Sequence, residues 1–338
     1  MKIIYIGPFP PPYGGVTLKN NVIKKVLINN GFSIEVFNTT ILKNYFNFIK
    51  LIIFLFKHKS SKGILSISSN SLLILTKILY VLAPRIMKNY IVIVAGGLFV
   101  QIIKKSRIKA SIFNNYRKIF VESYRMKNDL QRINILNAEY LPNFRSKPIN
   151  RNFRFKLKDE KLVKFIFISR VSKVKGVDLI FDSLKWLDER DSFQIDVYGP
   201  IEDNYVPEFF QSLNNNKKVN YLGIFESDKN NIIDLLYNYD VLLLPTRHKN
   251  EGHAGVLTEA KIAGCTAITS DLNFNSEIIN HMRDGIILKE NSAENLALSM
   301  KLLINNIELL NELRFNSFNS AENYFIENYL DIIIQNLE

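Results

Sequence analysis

Strand-like runs that end in turn residues and feed into amphipathic stretches recur along this chain, and the series starts twice. Residues 2–6 (KIIYI) are apolar and β-branched, as a buried strand requires. The loop at 7–15 (GPFPPPYGG) follows, with four prolines fixing φ and two terminal glycines freeing the backbone. A helix through about Asn30, capped by Thr17, and a second strand at 32–38 come next. Residues 165–168 (FIFI) open the same sequence of elements again. Strands alternating with helices, restarting near 160, predict α/β architecture with two doubly wound domains. At 338 residues each domain is large enough for its own core. The expected division is 1–150, 151–320 and a terminal apolar helix in 321–338, with a polar, basic linker at 145–160.

Composition excludes several chemistries. A single cysteine, Cys265, rules out a disulfide framework and a cysteine-rich metal site. Four histidines with neither HExxH nor CxxC give no zinc enzyme signature. The first residues lack the long apolar core of a signal peptide, so a reduced, cytoplasmic location is expected. Charge is unevenly spread. Residues 1–150 hold 23 Lys and Arg against 4 Asp and Glu, a net of +19; the remainder carries −7. Such a first half suits an anionic partner, or is simply a solvated basic surface. Nucleic-acid binding has only this net charge behind it, since no recognition motif is present. A membrane surface has more. Residues 41–62 interleave aromatic and aliphatic side chains with Lys43, Lys50, Lys57, Lys59 and Lys62. They read equally as a basic amphipathic helix on an anionic bilayer and as an ordinary core-facing helix. The apolar runs at 51–56 and 72–82 are too short to cross a membrane.

The chemistry-bearing stretch lies at 241–265. An apolar run (VLLL) reads as a buried parallel strand, ended by Pro245 and Thr246. A polar loop carries Glu251, Gly252, His253 and Ala254 into a helix that begins near Gly255 and bears Glu259. Glycines let a ligand approach the backbone, and the N–H groups at 254–257 form a helix N-terminus suited to phosphate. Upstream, Arg170 ends one strand and Lys175-Gly176 begins the next helix, with Asp178 beyond. A guanidinium fork and an ammonium on one loop suit a diphosphate.

Taken together, EGHAGVLTEAKIAG resembles the Glu-x7-Glu donor motif of the retaining glycosyltransferases of family 4, whose fold is GT-B. The usual form is close to E-G-F-G-x-x-x-x-E-A-x-A-x-G, so His253 and Ala254 are departures. SRVSKVKG resembles the family's Gly-Arg…Lys-Gly pattern, with Ser169 for the glycine. Gly14-Gly15 is similar to its N-terminal glycine loop, and Leu141-Pro142-Asn143 to the segment before its linker, with Phe144 where glycine is usual. Most members carry His-Gly after the strand at 90–95; here the aligned residue is Ala95, which leaves no imidazole at that place.

The resemblance implies two Rossmann-like domains facing each other across a cleft, and sugar transfer from a nucleotide sugar, expected to be a UDP-sugar, with retention at the anomeric carbon. Arg170 and Lys175 would bind the diphosphate, together with the N–H groups of Ala254, Gly255, Val256 and Leu257. Glu251 would orient the donor sugar, Glu259 would hold the ribose, and Gly14 and Gly15 would face the donor. His253 is a candidate sugar contact or a packed loop residue. No Asp-x-Asp triplet exists, so neither a required metal nor another cofactor is expected, and no side chain is assigned as general base. The acceptor is expected to be a glycan, lipid-linked at the inner face of the cell membrane, in O-antigen, capsule or exopolysaccharide assembly. A nucleotide-sugar epimerase and a non-catalytic binding protein remain as alternatives.

Overall fold

The computed structural model describes the chain apart from residues 12–13, 42–44, 152–154, 228 and 250–251. It divides into two compact units, Met1–Ser146 with Phe325–Glu338, and Lys147–Tyr324.

The first unit holds six parallel strands: β1 (Lys2–Gly7), β2 (Ser33–Asn38), β3 (Lys62–Leu65), β4 (Tyr90–Ile93), β5 (Lys118–Val121) and β6 (Ala138–Tyr140). Their order is β2-β1-β3-β4-β5-β6. Three helices matter below: α1 (Gly15–Asn29), α2 (Tyr45–Lys57) and α3 (Ser69–Leu82). The chain steps one way from β1 to β2 and the other way from β2 through β3 to β4. Right-handed crossovers then put α1 on one face of the sheet and α2 and α3 on the other. The α1 face is closed by Ile23 and Leu27 of α1 and by Ile326, Ile333 and Leu337, packed on Ile3, Tyr5, Ile91 and Phe120.

Four expectations change here. Thr17 is not the cap of α1. Gly14, in extended conformation, takes that place, and Thr17 sits in the first turn, where its Oγ1 accepts from the Gly14 N–H at 2.9 Å. Residues 41–62 are not one helix, because α2 ends at Lys57 and β3 begins at Lys62. The terminal stretch is a 3-10 turn (Ile326–Tyr329) followed by a short helix (Leu330–Gln335). The basic stretch at 145–160 is anchored at several points. Arg151 is buried and donates to the Ile262 carbonyl at 2.9 Å. The Lys158 ammonium pairs with buried Asp240 at 2.9 Å, and Arg314 reaches the same carboxylate at 3.5 Å.

The second unit repeats the plan with β7 (Val163–Ile168), β8 (Phe193–Tyr198), β9 (Val219–Tyr221), β10 (Val241–Leu244), β11 (Thr266–Ser270) and β12 (Ile286–Leu288). The strands are parallel, in the order β12-β11-β10-β7-β8-β9. Strands buried on both faces read as continuous apolar runs, which is why β10 is VLLL with every residue buried. β10 and β7 are hydrogen-bonded neighbours, Val241 opposite Phe165 and Leu242 opposite Ile166. The loops leaving their C-terminal ends are therefore adjacent, and in open α/β sheets that edge is where ligands bind.

Candidate functional site

The loop after β7 carries Arg170 and Lys175, and the loop after β10 leads to the helix Gly255–Ala263. Two glycines allow the chain ends of neighbouring strands to approach closely. Gly176 has φ +83°, and a Cβ there would lie 2.0 Å from the Pro245 carbonyl oxygen. Gly199, after β8, has φ +136°, and its Cβ would lie 1.8 Å from the Ser169 oxygen. Only glycine combines that backbone with that closeness. Gly176→Ala is expected to destabilise the protein by at least about 1–2 kcal/mol from the left-handed backbone alone, read as a lower thermal midpoint. An unchanged midpoint would mean that Gly176 does not hold this left-handed conformation.

Side chains then lace the loops together. The Arg247 N–H donates to the Val174 carbonyl at 2.7 Å, and its guanidinium to the Lys173 carbonyl at 2.9 Å. The same guanidinium forks onto Asp178, with contacts of 2.9 to 3.1 Å. Planar bidentate pairing fixes direction as well as distance. Beneath the loop, Asn291 donates to the Pro245 and Thr246 carbonyls, Ser270 to Thr246, and Asn273 to His248. The turn bearing Lys175 is thus tied to the β10 loop at both backbone and side chain. Sequence reading found Asp178 but not its partner Arg247, because the link depends on β7 and β10 being neighbours.

The expected site residues fall as follows. Arg170 is exposed, and among the described residues no carboxylate pairs with it. Lys175 is half-buried in the 3-10 turn Lys173–Lys175. Glu251 lies outside the described residues. Ala254 is the N-cap of the Gly255–Ala263 helix without a side-chain cap, so the N–H groups of Gly255 and Val256 head the helix. The Leu257 N–H is turned inward to the Ala254 carbonyl at 3.0 Å, and its side chain is fully buried. Leu257 therefore supports the helix from the core. Glu259 is buried one turn in, at 5% exposure. His253 is also buried, its ring 5.7 Å from that of Tyr324. Gly14 and Gly15 belong to the first unit, at the start of α1, where a Cβ would meet nothing within 4 Å. Ala95 follows β4 there and is half-buried. Among the described residues no three His, Cys, Asp or Glu side chains converge as metal ligands would.

The Gly255–Ala263 helix is fixed from behind. The Lys261 ammonium is buried, 2.8 Å from the Asp284 carboxylate and 2.8 Å from the Ser320 hydroxyl. Burial pushes the Lys261 pKa below the ordinary lysine value, and Asp284 opposes that shift.

The glycosyl transferases group 1 family matches residues 148–319, half of the chain and nearly all of the second unit. The chain belongs to the glycosyl transferases group 1 family. Arg170, Lys175, His253 and Glu259 lie inside the matched region, and Gly14 and Gly15 lie outside it. A Staphylococcus aureus capsular polysaccharide biosynthesis glycosyltransferase, CapH, is 28% identical over 161 residues, covering 46% of this chain. That alignment spans 42% of CapH, less than half of the curated relative's length. Among solved structures, Anabaena HepE in complex with UDP aligns over 100% of this chain and 99% of its own, with TM-score 0.72 at 13% identity. Sucrose-phosphate synthase of Thermosynechococcus elongatus gives 0.73 at 13% identity, over 99% and 98% of the two chains. WaaG, a glycosyltransferase of lipopolysaccharide biosynthesis, gives 0.67 at 14%, over 98% and 99%. These likenesses establish the fold class expected of this family member, GT-B with two Rossmann-like α/β units.

Proposed function

We propose that this group 1 family member is a retaining glycosyltransferase that moves a sugar from a nucleotide sugar, a UDP-sugar, to a glycan acceptor. The observation that carries the reading is that Arg247 and Asp178 tie the Lys175 turn to the loop after β10, the loop that leads into the helix at Gly255, at the C-terminal ends of two neighbouring strands. HepE was crystallised with UDP and with UDP-glucose, which favours uridine among the bases.

The chemistry follows from charge. As the bond from the anomeric carbon to the diphosphate lengthens, negative charge grows on the leaving phosphate oxygens. Arg170, Lys175 and the N–H groups of Gly255 and Val256 are the groups to stabilise it. Glu259, near the helix start, is suited to accept from the ribose hydroxyls, and Glu251 to orient the donor sugar. No side chain is assigned as base; the departing phosphate takes the acceptor proton on the face where the acceptor enters. Arg170 and Lys175 take the place of a divalent metal at the diphosphate. Transfer is expected to survive a chelator unchanged, and activity lost in EDTA and restored by magnesium would refute the metal-free step.

The similarity to CapH and the +19 charge of residues 1–150 favour a lipid-linked acceptor in capsule or related surface-polysaccharide assembly, at the inner face of the membrane. Ala95 favours one competing reading, nucleotide binding without transfer. Incubating the protein with UDP-sugars and a polyprenyl-diphosphate-linked sugar acceptor separates them. A glycosylated product with the donor's anomeric configuration is expected; UDP binding without product would favour the competitor.

A further inference from the structure

The sheet face of the first unit that carries α2 and α3 has an unusual surface. Between Glu35 and Glu122 there is no acidic residue, while 14 Lys and Arg occur in the same span. Both helices lie inside it. A surface helix ordinarily buries an apolar stripe and turns polar residues outward. α2 (YFNFIKLIIFLFK) buries Leu51 and Leu55 completely, and still turns Ile49, Ile53 and Phe56 to solvent. Those three are spaced four and three residues apart, a single helical stripe on the outer side. Ile53 is 63% exposed. α3 repeats this: Leu72, Leu75 and Leu79 are buried, while Ile74, Val81 and Leu82 are outside, Val81 at 77%. Exposed lysines interleave with the stripes, Lys50, Lys57 and Lys59 at α2 and Lys77 on α3.

We infer that this α2–α3 face docks on an anionic lipid bilayer, the two apolar stripes entering the headgroup boundary while the flanking lysines meet lipid phosphates. The surface is complementary to such a bilayer in both respects. Long lysine stems let the ammonium groups rise to the phosphates as the aliphatic side chains sink. Nucleic acid would satisfy the cations but leave isoleucine, valine and leucine in contact with water or phosphate. A second copy of this chain would bring the same positive charge against itself. Among the described residues no helix is long and apolar enough to cross a membrane, so contact here is interfacial. The inference rests on the lipid-linked part of the functional reading and gives it a place in the fold, remote in sequence from the donor-site residues.

Flotation with vesicles tests it. Wild type, Ile49→Ser/Ile53→Ser and Lys50→Glu/Lys57→Glu are floated with phosphatidylcholine vesicles, and with vesicles in which about a third of the lipid is phosphatidylglycerol. Wild type is expected to float with the anionic vesicles only, less so as salt rises. Both variants are expected to keep the wild-type circular dichroism and melting temperature, with partitioning reduced at least ten-fold. The inference is overturned if wild type ignores anionic vesicles, floats equally with both, or if Ile49→Ser/Ile53→Ser floats like wild type. A dimer in place of flotation, lost in the isoleucine variant, assigns the face to a second copy; RNA binding that this variant retains, without flotation, assigns it to nucleic acid. Either also overturns it. UDP titration of the same variants reports on the glycosyl-transfer reading separately, because no substituted residue belongs to the donor site.

Discussion

Asp284→Ala is expected to lower the stability of the second unit by about 3–5 kcal/mol, the usual cost of leaving one member of a buried ion pair alone. For a unit of this size that is a fall in melting temperature of roughly 6–20 °C. Asp284 is 1% exposed and accepts three times: from the Lys261 ammonium at 2.8 Å, the Asn280 N–H at 2.8 Å and the Asn280 side-chain amide at 3.1 Å. Removing it leaves an ammonium that burial already disfavours. The pair Lys261→Met/Asp284→Leu removes both charges with little change in volume and is expected to recover most of the loss. Because Lys261 shares a helix with Glu259, the single variant should also lose nucleotide binding at a lower temperature than wild type does. Melting curves of the three proteins decide it; an unchanged midpoint in Asp284→Ala would mean that the pair is not formed.

The second large effect is on the donor. Lys175→Ala is expected to weaken UDP binding or turnover by about 10- to 150-fold, the loss of one charge-assisted contact of roughly 1.5–3 kcal/mol. Lys173→Ala is the control. Its ammonium sits in the same turn but is exposed and pairs with exposed Glu208 at 2.7 Å, a contact of little consequence in water. A general charge effect would move both variants alike, whereas a located phosphate contact moves only Lys175→Ala. Lys175→Arg keeps the charge on a bulkier head and is expected to fall between Lys175→Ala and wild type.

The parts of the fold legible in the sequence share a cause. β1, β7 and β10 are buried on both faces, so each reads as an apolar run ending at a glycine, proline or polar loop. β3 was hidden because it is four residues, KGIL, that include a lysine and a glycine. Gly63 is required there since a Cβ would lie 2.2 Å from the Tyr90 ring, a contact that exists only once β3 and β4 are paired. The site divides in the same way. Arg170, Lys175 and Glu259 follow strand ends, and their resemblance to the family's motifs is what singles them out. Arg247, Asn291 and the Lys261–Asp284 pair are held by partners from other elements, and an isolated arginine or lysine in sequence reads as a surface charge. The basic first half was legible as charge; which side of the sheet it covers was not, because that follows from crossover handedness.

In the proposed reaction the Gly255–Ala263 helix and the Lys175 turn form one nucleotide-diphosphate site. Calorimetric titration with UDP, GDP and ADP, on wild type and on Glu259→Ala, tests it most directly. Binding of UDP in the micromolar range, weakened at least ten-fold in Glu259→Ala, is the predicted result, a difference of about 1.4 kcal/mol. Binding to none of the three nucleotides, or UDP binding unaffected by Glu259→Ala, would contradict it.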